Sequence, residues 1–168
     1  RFDILPIEDY LSRPSDDREV RYKDWRLIKA EALVVGQMKA LGSDRFEVRF
    51  QLFDVFEEKQ LAGYRWEVDV TRLRKIAHQT SDHIVKALIG KGPAFDSRIA
   101  YVTVEQVASK GPTYRLMVAD SDGFNPREIL LSSDPILSPA WSPDGRYLAY
   151  VSFEDGWSKV IVQEIDTG

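Results

Sequence analysis

The sequence predicts a small α+β domain followed by tandem repeats of antiparallel β-sheet. Three observations carry that reading. Three strand-like segments between Ala32 and Val70 precede a single stretch of helical period, from Thr71 to Ile89. After Pro93 the helical period disappears, and short strands alternate with Pro, Gly and Asp turns. Within this second half, similar segments recur at a spacing of roughly 45 residues.

The first elements are short. "RFDILPI" predicts a brief strand, and "IEDYLSRP" a helical turn stopped at Pro14. Residues 15–21 are charged and expected in solvent. Residues 23–29 predict a short helix with Trp25, Leu27 and Ile28 as its apolar members. "ALVVGQM", residues 32–38, is short, apolar and β-branched, the pattern of a buried strand. Gly42, Ser43 and Asp44 then signal a turn. "RFEVRFQLFDVF" alternates strictly, with Phe46, Val48, Phe50 and Leu52 on one face and Glu47, Arg49 and Gln51 on the other. That is the pattern of a half-solvated strand. A second turn at residues 57–60 leads into "LAGYRWEVDV", where Tyr64, Trp66, Val68 and Val70 alternate. The three strands together predict an antiparallel meander.

The helix follows. Leu73, Ile76, Ala77, Thr80, Ile84, Ala87 and Leu88 fall on one side of it. Asp69 or Thr71 is placed to cap its start. Gly90 stands where a left-handed residue closes a helix, and Pro93 stops continuation. An apolar stripe of this kind requires a sheet to cover it. Residues 1–92 are therefore expected to form an α+β N-terminal domain, an antiparallel or mixed sheet packed by helices.

In the second half, Ile99-Ala100-Tyr101-Val102 matches Leu148-Ala149-Tyr150-Val151, roughly 49 residues on. Leu116-Met117-Val118 matches Val160-Ile161-Val162 roughly 44 residues on, and Pro93-Ala94-Phe95 echoes Pro139-Ala140-Trp141. Ser142-Pro143-Asp144-Gly145 then has a clear role. Pro143 presets φ at the second turn position, Asp144 tolerates the third, and Gly145 accepts positive φ at the fourth. The turn joins a strand carrying Trp141 to a strand over residues 146–152 that is apolar on both faces, as expected where sheets stack on sheets. Residues 154–156 turn into a third strand, residues 159–165, and residues 166–168 turn toward a fourth. The spacing and the four-strand unit are those of propeller blades. Residues 93–168 are expected to form the first one to two blades of an all-β propeller, incomplete. A closed ring needs at least four blades, so the chain is expected to be part of a longer protein.

At these residues the sequence resembles a family. "SPAWSPDGRYLAYVSFEDG" is similar to the repeat of the periplasmic TolB proteins, and "LVVGQM", "GKGPAFDSRIAYV" and "ADSDGFNPREIL" resemble TolB segments in the same order. The resemblance is weakest before about Glu31. It implies an α/β domain joined to a six-bladed propeller and export to the periplasm. It also implies membership of the Tol–Pal envelope system, with the lipoprotein Pal and the inner-membrane protein TolA as partners, in support of outer-membrane integrity and constriction at division. Contact with the membrane would be peripheral, through partners only, and no enzymatic activity, small-molecule substrate or cofactor is implied. The repeat also occurs in the propellers of prolyl-oligopeptidase-like serine peptidases. The alternative is therefore the propeller portion of such an enzyme, with its catalytic domain downstream.

Composition bounds the remaining choices. A net charge of −4 and a pI near 5.3 give no attraction for polyphosphate, so nucleic acid is not an expected partner. The chain has no cysteine, which excludes disulfides, thiolate metal sites and a cysteine nucleophile. No apolar run spans a bilayer. No signal peptide opens the chain, and the start at Arg1 without Met reads as a processing or expression boundary.

Candidate chemistry is sparse. His78 and His83, five apart, do not share a helix face as zinc-binding pairs four apart do, and are expected on the helix surface. Residues 120–125 begin like a calcium loop but lack its spacing and terminal Glu, and are expected to be a polar turn. Gly90-Lys91-Gly92 is too short to cradle phosphate, and no Gly-x-Ser-x-Gly elbow occurs. No catalytic, cofactor or metal residue is assigned. Trp157, after a turn glycine, and Phe124, at a turn tip, are the candidate partner anchors.

Overall fold

A computed structural model describes residues 2–92, 94–107 and 111–165. The chain divides into two units, Arg1–Phe95 and Asp96–Gly168. Pro93, the expected helix stop, and the turn expected at residues 166–168 lie outside the described residues.

In the first unit, a short helix α1 (Tyr22–Leu27) precedes three strands, β1 (Ala32–Ala40), β2 (Arg45–Asp54) and β3 (Lys59–Asp69), and a long helix α2 (Leu73–Ile89) follows. The strands form one antiparallel sheet in the order β1-β2-β3, so the expected meander is present and the sheet is not mixed. One face presents Leu33, Val35 and Phe53, which with Val55 bury against Trp25 and Ala30. Leu5, Tyr10, Val20, Tyr22 and Ile28 complete that cluster. The other face buries Phe50, Leu52 and Val68, and α2 packs along β3 with Ile76 buried.

Five local expectations are corrected. Residues 2–6 form no strand; the chain passes into a 3-10 turn at Ile7–Asp9, because Pro6 has no N–H for a ladder and Leu5 is drawn into the cluster instead. β1 is buried only at Leu33 and Val35, while Val34 and Met38 are exposed, since one face of this edge strand is covered. Gln51, expected in solvent, is buried and donates from Nε2 to Gln60 Oε1 at 3.0 Å. The N-terminal cluster covers the second face of β2 at this point, which strict alternation did not signal. At the start of α2, a 3-10 turn at Val70–Arg72 displaces the helix start, so Arg72 stands at the N-cap and neither it nor Asp69 makes a side-chain cap bond. His78 and His83, expected on the helix surface, are both half-buried, and His83 lies against the sheet. The His83 ring stacks on Tyr64 with centroids 3.8 Å apart, beside Phe50 and Trp66. Gly90 ends α2 as expected, at φ 76°, its N–H donating to Lys86 O.

In the second unit, β4 (Arg98–Val107), β5 (Gly111–Asp120) and β6 (Arg127–Ser132) form one antiparallel sheet. β7 (Ile136–Trp141), β8 (Tyr147–Ser152) and β9 (Lys159–Glu164) form another. The repeat is explicit: β4 corresponds to β8 and β5 to β9. Propeller architecture begins here, with three described strands in each repeat. The sheets pack through Leu116 and Val118 of the first and Ile136, Leu148 and Tyr150 of the second, with Ile165. A bulge between Leu137 and Ala140, with Ser138 at φ 51°, bends β7 just before Trp141.

β8 departs from the expectation that both its faces are covered. Leu148, Tyr150 and Ser152 are buried, whereas Ala149 and Val151 on the outward face are half-buried and Tyr147 is exposed. Only one side of this sheet has a neighbouring sheet among the described residues.

Leu52 is fully buried, and truncating such a side chain leaves a cavity that the sheet cannot close. Leu52→Ala is expected to lower unfolding free energy by about 2–5 kcal/mol in urea denaturation. Exposed Leu27→Ala should stay within about 0.5 kcal/mol of the parent.

Candidate partner-binding surface

The turns of the second unit share one construction. Gly123, Gly145 and Gly156 each follow an Asp and donate N–H to the carbonyl three residues back, Asp120 O, Ser142 O and Phe153 O. Gly145 shows why: at φ 70° a side chain would be strained, so glycine lets the chain reverse tightly between β7 and β8.

The Ser142–Gly145 turn is held by a small polar network. Ser142 Oγ accepts from Tyr147 N at 2.9 Å and donates to Asp144 Oδ1 at 2.5 Å. The same Asp144 oxygen accepts from Arg146 N at 3.1 Å. These donors, the Ser142 hydroxyl first and the Arg146 amide next, favour the ionised carboxylate and hold Asp144 below the usual aspartate range. Arg146 also donates to Glu164 Oε1 at 2.9 Å, tying the turn to β9. Arg98, at the head of β4, donates from a guanidinium nitrogen to Gly145 O at 2.6 Å, and its guanidinium carbon lies 4.5 Å from the Trp141 ring centroid. Sequence reasoning passed over Arg98. Its alternation with Ala100 and Val102, whose side chains face the second sheet, was the available signal.

The two candidate anchors stand apart. Phe124 lies in the β5–β6 turn and is 56% exposed. Antiparallel pairing puts that turn at the same end of the strands as the Ser142–Gly145 turn, since Arg98 pairs with Asp120 and reaches Gly145. Trp157 lies in the β8–β9 turn, at the opposite end of the second sheet, and is 78% exposed. The polar turn expected at residues 120–125 is observed: Asp122 Oδ1 accepts from Phe124 N at 3.1 Å, and Asn125 adopts φ 52°.

Two other surfaces are apolar. The outward face of the second sheet exposes Leu137, Tyr147, Val160 and Val162, the two valines at 72% and 65%. In the first unit, a depression of about 340 Å³ is lined by Leu5, Leu27 and Ile28, with Asp9 and Lys29 also in its wall. Rigid turns that carry aromatic tips, beside apolar sheet faces, suit protein docking.

Comparison with known proteins agrees with this architecture. A family model described as the TolB amino-terminal domain matches residues 1–61, and one described as the TolB beta propeller domain matches residues 85–168. The chain is similar to the Tol-Pal system protein TolB of Nitrosococcus oceani, at 52% identity over 168 residues, covering 100% of this chain and 39% of that protein. It is also similar to the protein of that name from Xylella fastidiosa strain 9a5c, at 42% identity over 169 residues, covering 100% of this chain and 38% of the relative. The crystal structure of TolB from Acinetobacter baumannii matches with a TM-score of 0.80 and 38% identity, over 89% of this chain and 37% of that one. The chain thus spans about two fifths of the length of the curated relatives it matches.

The Asp144 network has a pH signature. A carboxyl whose folded pKa is depressed adds stability above its unfolded pKa, here near 3.8, and that contribution is lost as pH falls through the lower folded value. Asp144→Asn keeps an acceptor at Oδ1 and removes the charge. Its stability deficit relative to the parent should be constant above about pH 5 and disappear on further acidification. Denaturation midpoints measured for both proteins across pH 2–7 check this; a deficit unchanged at the acid end would contradict it.

Proposed function

This chain belongs to the TolB family, and from that membership we propose that it acts as an envelope interaction component of the Tol–Pal system rather than as an enzyme. The observation that carries the proposal is the order of two domain types. A TolB amino-terminal match is followed in the same chain by TolB propeller sequence, with 52% identity to a Tol-Pal system protein over all 168 residues. That order also favours this reading over the peptidase alternative, because the shared SPDG repeat does not account for residues 1–61.

In this reading residues 1–92 are the N-terminal domain and residues 93–168 open the propeller. The protein works in the periplasm, where it engages the lipoprotein Pal and the membrane protein TolA, and so supports outer-membrane integrity and constriction at division. Stacked sheets form a rigid platform whose turns hold fixed positions, and little ordering entropy is lost when a partner docks on such turns. Trp157 is the proposed anchor at one end of that platform and Phe124 at the other. Both are aromatic side chains on hydrogen-bonded turns, the type of residue that most often dominates an interface.

A full-length family protein carrying this sequence is expected to capture purified Pal and the periplasmic part of TolA; capture of neither would overturn the proposal. Because the two aromatics lie at opposite ends of the strands, Trp157→Ala and Phe124→Ala separate the surfaces. A partner docked on one end should lose about tenfold or more in affinity, about 1.4 kcal/mol, from one substitution and little from the other. Titration calorimetry with each partner gives that comparison.

A further inference from the structure

Contact between aliphatic side chains places little directional restraint on the sliding of two sheets, because apolar contact is non-directional. In the second unit most of the facing residues are of this kind, Ala100, Val102, Leu116 and Val118 on one side and Ile136 and Leu148 on the other, with Tyr150 and Trp141 as aromatic members of the second sheet. The two sheets nevertheless meet in a definite register, and Arg98 stands where they meet. It stands at the head of β4, in alternation with Ala100 and Val102, so its side chain projects from the face that meets the second sheet. Its guanidinium lies over Trp141, the last residue of β7, 4.5 Å from the ring centroid. From the same group it donates to Gly145 O at 2.6 Å.

These two contacts are complementary. A ring face restrains the height of a cation above it and leaves it free to slide. A charge-assisted hydrogen bond to a backbone carbonyl restrains the sliding. Together they hold the end of β7 and the turn after it against the first strand of the preceding sheet. We propose that Arg98 is the positioning residue that sets the register between the two β-sheets of the second unit and couples the Ser142–Gly145 turn to the first repeat. This inference does not depend on which partner the protein binds.

The corresponding position in the second repeat is Tyr147, which follows the same alternation with Ala149 and Val151 and lies on the outward face. The coupling through a guanidinium therefore belongs to the first junction and is not a feature of every repeat. Substitution at Arg98 should loosen one turn selectively.

The test is hydrogen–deuterium exchange in a full-length family protein carrying this sequence, comparing the parent with Arg98→Ala and Arg98→Lys. Arg98→Ala should speed exchange in the segment over residues 142–147 by about tenfold, with core strand segments around Leu116 and Leu148 unchanged. Arg98→Lys keeps a cation over the ring and loses the planar fork, so it should speed the same segment by a smaller factor. The Arg98 Nε–H resonance of the parent should also show the upfield ring-current shift expected above an indole, and Trp141→Leu should abolish it. Exchange at the turn equal to the parent in both variants would overturn the proposal. So would acceleration shared equally by the turn and the core strands, or a parent Nε–H resonance that Trp141→Leu does not move. If Arg98→Ala fails to fold, the lysine variant and the resonance decide the matter.

Discussion

The constraint on which the second unit depends is the one that governs any apolar sheet face: it must be covered, and here another sheet covers it. Leu116, Val118, Ile136 and Leu148 are almost completely removed from solvent where the two sheets meet. Burial of each such side chain stabilises by about 1.5–3 kcal/mol relative to exposure. The same residue types on the outward face of the second sheet, Leu137, Val160 and Val162, are exposed. One sheet pair therefore satisfies half of the requirement and poses it again on the next face. That is the physical origin of a repeat architecture, in which each unit supplies a cover for the previous one.

The first unit meets the requirement differently. Its single sheet is covered on one face by an irregular N-terminal segment with α1, and on the other by α2. Aromatic side chains serve as the fitting pieces there. Phe50, Tyr64, Trp66 and His83 stack nearly parallel, with interplanar angles from 13° to 30°. Tyr10 meets Trp25 edge-on at 5.0 Å on the opposite face. Ring contacts of this kind add about 0.5–1.5 kcal/mol beyond area burial. They also restrain the orientation of α2 on the sheet more narrowly than aliphatic contact would.

Much of this was legible from residue order. Period-2 alternation from Phe46 to Leu52 located β2, the glycine after Ile89 located the end of α2, and the SPDG turn with its repeat located the sheets of the second unit. Turn chemistry is local, so it survives the loss of all tertiary information. What was not legible is what covers each face. Gln51 sits on the polar side of its strand by pattern, yet the N-terminal cluster lies over it and Gln60 supplies its partner. His83 stands seven residues after Ile76, two helical turns on, and that spacing was enough to place it inward; comparing it only with His78 hid this. Arg98 was invisible as a contact because its partners, Trp141 and Gly145, are more than forty residues away and depend on how two sheets meet. Trp157 and Phe124 were visible in the sequence as aromatics beside turn glycines, but their positions at opposite ends of the strands follow only from the pairing register.

The most direct measurement of the central claim uses the absence of native cysteine. A single Val162→Cys substitution places a thiol on the outward face of the second sheet. It would be compared with Trp157→Cys, both in the 168-residue chain and in a full-length family protein carrying it in which any cysteine outside these residues is replaced by serine. The account expects both thiols to react rapidly with a water-soluble alkylating reagent in the 168-residue chain. In the full-length protein only the Trp157→Cys thiol should remain fast, with Val162→Cys slowed by about a hundredfold or more as the next sheet covers it. Equal, rapid labelling of both thiols in the full-length protein would contradict the claim that stacked sheets, each covering the last, hold this unit together.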